Sequence, residues 1–247
     1  MSRPVPAATA ALRVLRLLST QPRPIPASRI AAELGLPRST TYHLLHAMAE
    51  ESFVLHYDAD RTWGVGVAAW EVGQGWSRQE PLARLARRPL ADLVHRVGHV
   101  AHLAVLHGSD VLYVLEERAP GRPPLVTDVG VRLPAHLTAS GRAILASLPA
   151  AQVRALYPGP AAFTTRTGRG PSSPGALRRL LVETRRRGFA EEDSEVTEGF
   201  ASVGVPITAP SVVASLAVTW PSDDPPPLER VLDGLRRTAA TIRRRLE

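Results

Sequence analysis

The chain has no cysteine. Disulfides, thiolate metal sites and a cysteine nucleophile are therefore excluded. Lysine is missing too, and all 30 basic residues are arginine. With 23 prolines and abundant alanine, this reads as the coding bias of a G+C-rich genome rather than as function. The start, "MSRPVPAATAALRVLRLLSTQPRP", lacks an apolar run long enough for a signal-peptide core or a membrane span. A cytoplasmic protein with no membrane partner is the expectation.

What is present fits a folded protein. At 44% hydrophobic and 21% charged residues, 247 residues suffice for one large domain or two modest ones. The formal net charge of +7 points towards nucleic acid, but its distribution does not. Residues 1–77 hold seven arginines against six acids, and residues 78–247 hold 23 against 17. The excess lies away from the segment that resembles a DNA reader.

That segment is "LGLPRSTTYHLLHAM", residues 34–48. Thr41, Leu44, Leu45 and Met48 fall at i, i+3, i+4 and i+7, one apolar stripe of a helix beginning near Pro37. Ser39, Tyr42, His43 and His46 form the opposite stripe, which holds hydrogen-bonding groups and no acid. A helix over about 7–19, with Ala8, Ala11, Leu12, Leu15 and Leu18 buried, precedes it. "QPRPIP" breaks that helix, and a short one, "ASRIAAEL", ends at Gly35. "SFVLHYDADRTWGVG" then alternates as a hairpin around a polar turn. Three helices and a hairpin are the pattern of a winged helix-turn-helix, whose third helix enters the major groove. The bland alternative is a generic three-helix subdomain with a solvated face.

The organisation expected is a winged helix-turn-helix domain over 1–66, a linker helix over 67–80 and a second domain over 81–247. From Pro81 a helical pattern runs to Val97, followed by two strands around a Gly-Ser-Asp turn. "LPAHLTASGRAILASL" is a loop entering a helix, and "GPAAFTTRTGRGPSSPG" a loop without core-forming residues. A basic helix, an acidic loop "FAEEDSEVTEGF", two strands and a final helix complete an α+β domain on an antiparallel sheet.

Several blocks resemble the IclR family of bacterial transcriptional regulators. They are "LRVLRLLS", "IAAELGLPRSTTYHLLHAM" and "WGVG…EVG" in the first part, then "VGVRLPAHLTASGRAILA" and "RRRGFAEEDSEVTEGFASVGVPI" in the second. The resemblance implies a GAF-like effector-binding domain and a homodimer or tetramer on a double-stranded operator palindrome. It implies a small-molecule effector, an organic acid or an aromatic compound, and no cofactor. Three positions depart from the family pattern: His43 stands where arginine is frequent, Ser52 where a turn glycine is common, and Pro26 at a usual Ser or Thr helix cap.

Roles follow from position. Arg38, Ser39 and Thr40 occupy the first turn of the recognition helix, where free N–H groups favour phosphate. Tyr42, His43 and His46 are candidate base readers, Tyr42 alternatively packing on the wing, and Arg61 at the wing tip reaches backbone or minor groove. In "HLTASGRAILA", Thr138, Ser140 and Gly141 open a helix, so hydroxyls and free N–H groups there can hold a carboxylate or simply cap the helix. By position in the family pattern, Glu192, Ser202, Ala217 and Thr219 line the same cavity. Ala217 lacks a hydroxyl found in relatives, which suggests a larger or more apolar ligand.

Other chemistry is poorly supported. His95, His99, His102, His107 and His136 need not converge on a metal, since "HRVGHVAH" crosses a helix-to-strand junction. "TASGR" lacks the G-x-S-x-G elbow of serine hydrolases. The expectation is a regulator, a repressor rather than an enzyme. The rivals are a small-acid enzyme with a docking module, and a winged-helix module that binds protein.

Overall fold

A computed structural model describes residues 5–72, 81–209 and 212–246. The chain forms two compact units, residues 1–80 and 81–247.

In the first unit, α1 covers Pro6–Ser19 with Pro6 at its start, where a missing N–H breaks no bond. Its buried row is Ala10, Val14 and Leu18. Ala8 and Leu12, expected in the stripe, are exposed. Each lies two residues, about 200°, around the helix from the buried row, so packing Val14 inward turns them to solvent. "QPRPIP" does more than break the helix: Ile25–Pro26 forms a short edge strand, β1, with Ile25 opposite Trp63.

Helix α2 spans Ala27–Leu34 and ends at Gly35, whose φ of +65° suits glycine. Helix α3 spans Arg38–Glu50. Pro37 caps it from outside rather than opening it, and the Pro37 carbonyl accepts both Thr41 N–H and Thr41 Oγ1–H. Strands β2 (Val54–Tyr57) and β3 (Thr62–Val65) form the hairpin, giving a sheet ordered β1-β3-β2. Val14, Leu18, Ile30, Leu45, Met48, Val54 and Trp63 make the core. A further helix begins over 67–72; the rest of the expected linker helix, 73–80, lies outside the described residues.

The second unit opens with α4 (Pro81–Val97), then β4 (Val100–His107) and β5 (Asp110–Arg118). After β6 (Arg132–Pro134) come α5 (Ala139–Ser147), α6 (Ala150–Leu156) and α7 (Pro174–Arg187). Strands β7 (Ala190–Asp193), β8 (Phe200–Ala209) and β9 (Val212–Pro221) precede the last helix, α8 (Leu228–Arg244). The six strands form one antiparallel sheet, order β6-β5-β4-β9-β8-β7.

Alternation along the strands sorts residues between two layers. Val203, Val205 and Ile207 of β8 and Leu216 and Val218 of β9 pack with Leu90 and Leu93 of α4 and Val231 and Leu235 of α8. The opposite face receives α5, with α7 behind it, around Tyr113, Ile144, Leu145, Leu177 and Leu181. Two sequence expectations change. The Gly- and Pro-rich stretch does contribute to a core, since Ala162 and Phe163 pack on this second cluster and Phe163 meets the His136 ring. The acidic loop begins as a strand: Ala190–Asp193 pairs with β8, which fixes the direction of its carboxyls.

Candidate functional site

In the first unit, α3 buries Thr41, Leu45 and Met48, and its other face is open. Arg38, Ser39, Thr40, Tyr42, His43 and His46 are all exposed, as is Arg61 in the hairpin turn. The wing meets this helix through a histidine. The His46 ring stands edge-on to Trp63 at 5.4 Å, and His56 stacks at 4.4 Å from the same indole. His46 is thereby oriented. Arg61 has a φ of +51°, a left-handed turn position.

In the second unit, Thr138 caps α5: its Oγ1 accepts the Gly141 N–H at 2.8 Å. The N–H groups of Ala139 and Ser140 stand in the first turn, where no carbonyl of the same helix reaches them. Gly204 lets this helix start lie against the sheet, since a Cβ there would come 2.9 Å from the Ala139 carbonyl oxygen. The sheet supplies the facing groups by register. Glu192 lies opposite Ser202 and Ser202 opposite Thr219; one step along, Gly204, Ala217 and His102 are in line.

Thr138, Ser140, Glu192, Ser202, Ala217 and Thr219 line one cavity of about 80 Å³. Gly141 does not. Its N–H is spent on Thr138, and a Cβ on it would sit 2.2 Å from the Ala135 carbonyl oxygen, so its part is to let two backbone segments touch.

The polar groups are connected. Ser202 Oγ donates to Glu192 Oε1 at 2.9 Å and lies 2.9 Å from Thr219 Oγ1. The Glu195 N–H reaches Glu192 Oε2 at 3.3 Å. Burial pushes the Glu192 carboxyl up to about 7, these hydrogen bonds only partly opposing it. Ser140 Oγ is 1% exposed and has no hydrogen-bond partner. The Tyr113 hydroxyl faces Ser140 and Thr138, and burial holds that phenol neutral well above its ordinary range.

Sequence reasoning missed much of the lining: His102, Tyr113, Val196, Thr197, Phe200 and the segment 124–127, which forms a roof over the polar groups. Thr127 Oγ1 and His102 Nε2 are 2.7 Å apart, which fixes the roof to β4. Only strand register, which a single sequence does not print, places His102 beside Ala217. The neighbouring cation has another task. Arg142 donates to the carbonyls of His136 and Glu191 and pairs with Glu195, clamping the loops around α5. The other carboxylates of "EEDSE" are similarly engaged, Glu191 with Arg187 and Asp193 with Ser194 and Ser222. Among the described residues no group of three or more His, Asp or Glu is arranged to hold a metal ion, and no helix is long and apolar enough to cross a membrane.

A winged helix-turn-helix unit carried by a cavity-bearing α+β unit defines a ligand-responsive transcriptional regulator. Residues 7–56 match the family described as the IclR helix-turn-helix domain, and residues 76–244 that described as bacterial transcriptional regulator IclR C-terminal. The chain belongs to the IclR family. It is 31% identical over 252 residues to the glycerol operon regulatory protein of Streptomyces griseus, covering 100% of this chain and 98% of the relative. The protein of that name from Streptomyces coelicolor is 33% identical over 207 residues, 84% of this chain and 80% of the relative. An IclR transcriptional regulator from Alicyclobacillus acidocaldarius has a crystal structure with a TM-score of 0.86 and 25% identity, over 98% of this chain and 99% of that one.

Proposed function

We propose that this regulator is a repressor that binds an operator palindrome as a homodimer or tetramer in the cytoplasm, and that a small organic acid or aromatic compound in the cavity changes its operator affinity. Residues 1–66 read DNA, 67–80 link, and 81–247 bind effector. Arg38, Ser39 and Thr40 contact phosphate, Tyr42 and His43 read base edges, His46 is positioned by Trp63, and Arg61 takes the backbone beside the wing. The observation that carries the reading is the convergence of Thr138, Ser140, Glu192, Ser202, Ala217 and Thr219 on one cavity.

The ligand class follows from the lining. The lining combines apolar side chains, Leu125, Val126, Val196 and Phe200, with the hydroxyls of Thr138, Ser140 and Ser202, which suits an organic or aromatic acid. The free N–H groups of α5 and the unpartnered Ser140 hydroxyl favour a carboxylate. Such a ligand regulates only by preferring one arrangement of the protein over another. Catalysis is not part of the proposal. Glu192 is held by Ser202 and the Glu195 amide, and His102 by Thr127, so neither is poised as acid or base against the other.

The test is fluorescence anisotropy with DNA flanking the protein's own gene, across a salt series, against an unrelated fragment of equal length. Binding confined to the flanking DNA, weakening steeply with salt and released by a member of a panel of small organic and aromatic acids, is the expected result. Equal weak binding to both fragments, and to other operator candidates, would favour the protein-interaction reading of the winged unit. Consumption of the acid would favour an enzyme.

A further inference from the structure

The positive charge of the second unit is concentrated in its outer helical layer. Helices α4 and α8, with Arg245, carry ten arginines against three acids, Asp92, Glu229 and Asp233. Residues 81–247 as a whole hold 22 arginines against 16 acids, so everything outside these helices is net −1. This layer lies across the sheet from the cavity described above.

Within the layer the charge converges. Arg88, Asp92 and Arg96 fall at i, i+4 and i+8 on α4, and Arg237, Thr241 and Arg245 repeat that spacing at the end of α8. Both rows line one groove of about 290 Å³. The groove is anchored by the backbone. Pro89 has no N–H, so it cannot bond the Leu85 carbonyl four residues back. Arg245 Nη1 donates to that carbonyl instead, at 3.3 Å, and Arg230 Nη2 bonds the Arg96 carbonyl at 2.7 Å. Among the described residues the structure gives no ion pair to Arg88, Arg96, Arg237 or Arg245. Four unpaired guanidiniums around one acid leave an uncompensated charge that exposed helices ordinarily relieve with acids at i+4.

We propose that the α4–α8 groove is a second anion site, for a compact ligand bearing two or more linked phosphates, separate from the effector cavity. Guanidinium forks match phosphate oxygens bidentately. Two facing arginine rows suit linked phosphates, which span both, better than a single one, which contacts one. Convergence on a groove, rather than spread along a ridge, favours a compact polyanion over a duplex backbone.

The test uses the full chain at 150 mM salt, with inorganic pyrophosphate as probe, orthophosphate and a non-operator duplex as comparisons, and calorimetric titration as readout. Pyrophosphate is expected to bind saturably, one per chain, at least tenfold tighter than orthophosphate. Arg88→Gln with Arg237→Gln should weaken it tenfold or more. Arg154→Gln with Arg178→Gln, the same charge change in a different groove, should change it less than twofold. These are exposed helical positions, and thermal melting confirms that both variants fold. The proposal is overturned by absence of saturable binding, by equal losses in the two variants, or by a loss of duplex binding in the first variant with pyrophosphate affinity unchanged.

Discussion

The two candidate sites are built on opposite plans. The face of α3 is a set of exposed side chains, His46 among them set against Trp63. The cavity is a set of buried groups that hold one another, Glu192 to Ser202 to Thr219 and His102 to Thr127. An exposed reader adapts to its partner and costs the fold little when altered. A buried network is coupled to stability, because any member left unpaired carries a desolvation penalty. Substitutions in the first should therefore change function without stability, and in the second change both together.

The largest effect is expected at Gly141. A methyl there meets the Ala135 carbonyl at 2.2 Å, which only backbone movement relieves. Gly141→Ala should cost about 3 kcal/mol or more, read by calorimetry as an early transition of the second unit with the first unit unchanged. A fall of melting temperature under about 1 °C would return Gly141 to the residues free to meet a ligand. Next comes the reading face. Arg38→Ala with His43→Ala should weaken operator binding about a hundredfold, each contact being worth roughly 1–3 kcal/mol. Melting should be unaltered, because both side chains are exposed. A comparable loss of stability would erase the contrast between the two sites.

The same contrast explains what the sequence made legible. Every residue of the α3 face lies within nine positions of the next, and helical spacing alone separates it from Thr41, Leu45 and Met48. The cavity joins residues up to 117 positions apart (His102 to Thr219) through strand register, so spacing could not assemble it. Resemblance to a family located Glu192, Ser202 and Thr219, but not His102, Tyr113 or the roof. Register also decided the acidic stretch: its loop-like composition concealed β7, and only pairing with β8 turns Glu192 inward while Glu191 turns out to Arg187. The misplaced α1 stripe has a similar cause. Alanine and leucine are frequent around that helix, and contact with the hairpin and α3 core selects which row is buried.

Glu192 sharpens the comparison through pH. Its folded carboxyl ionises near 7, and an unfolded one near 4.5. A raised folded value means that the stability contributed by the neutral form is complete below about 4.5 and is lost as pH rises through 7. Glu192→Gln keeps an acceptor for Ser202 but sets an amide against the Glu195 N–H. At pH 8 it should stabilise the second unit by about 1–2 kcal/mol, and at pH 4 the advantage should vanish. If the carboxyl also donates to a bound acid, wild-type effector affinity falls between pH 6 and 8 while that of the variant stays level. Denaturation and ligand titration at the two ends of that range test both. A variant with undiminished pH dependence would transfer the titration to another group.

The smallest effect tests the other unit. Ser52 follows α3 at φ +59°, with the Phe53 N–H bonded to the Met48 carbonyl and the Ser52 N–H to that of Ala49. That is the left-handed helix ending in which glycine is usual, because any Cβ there is strained. Ser52→Gly should therefore stabilise the first unit, by about 0.5–1 kcal/mol, with the larger backbone entropy of the unfolded glycine chain offsetting part of the relief. Both operator and effector affinity should stay within twofold, since Ser52 belongs to neither site. A loss of operator affinity in a more stable protein would give the strained turn a part in holding α3 against the wing, and the reading face would then depend on its scaffold as closely as the cavity does.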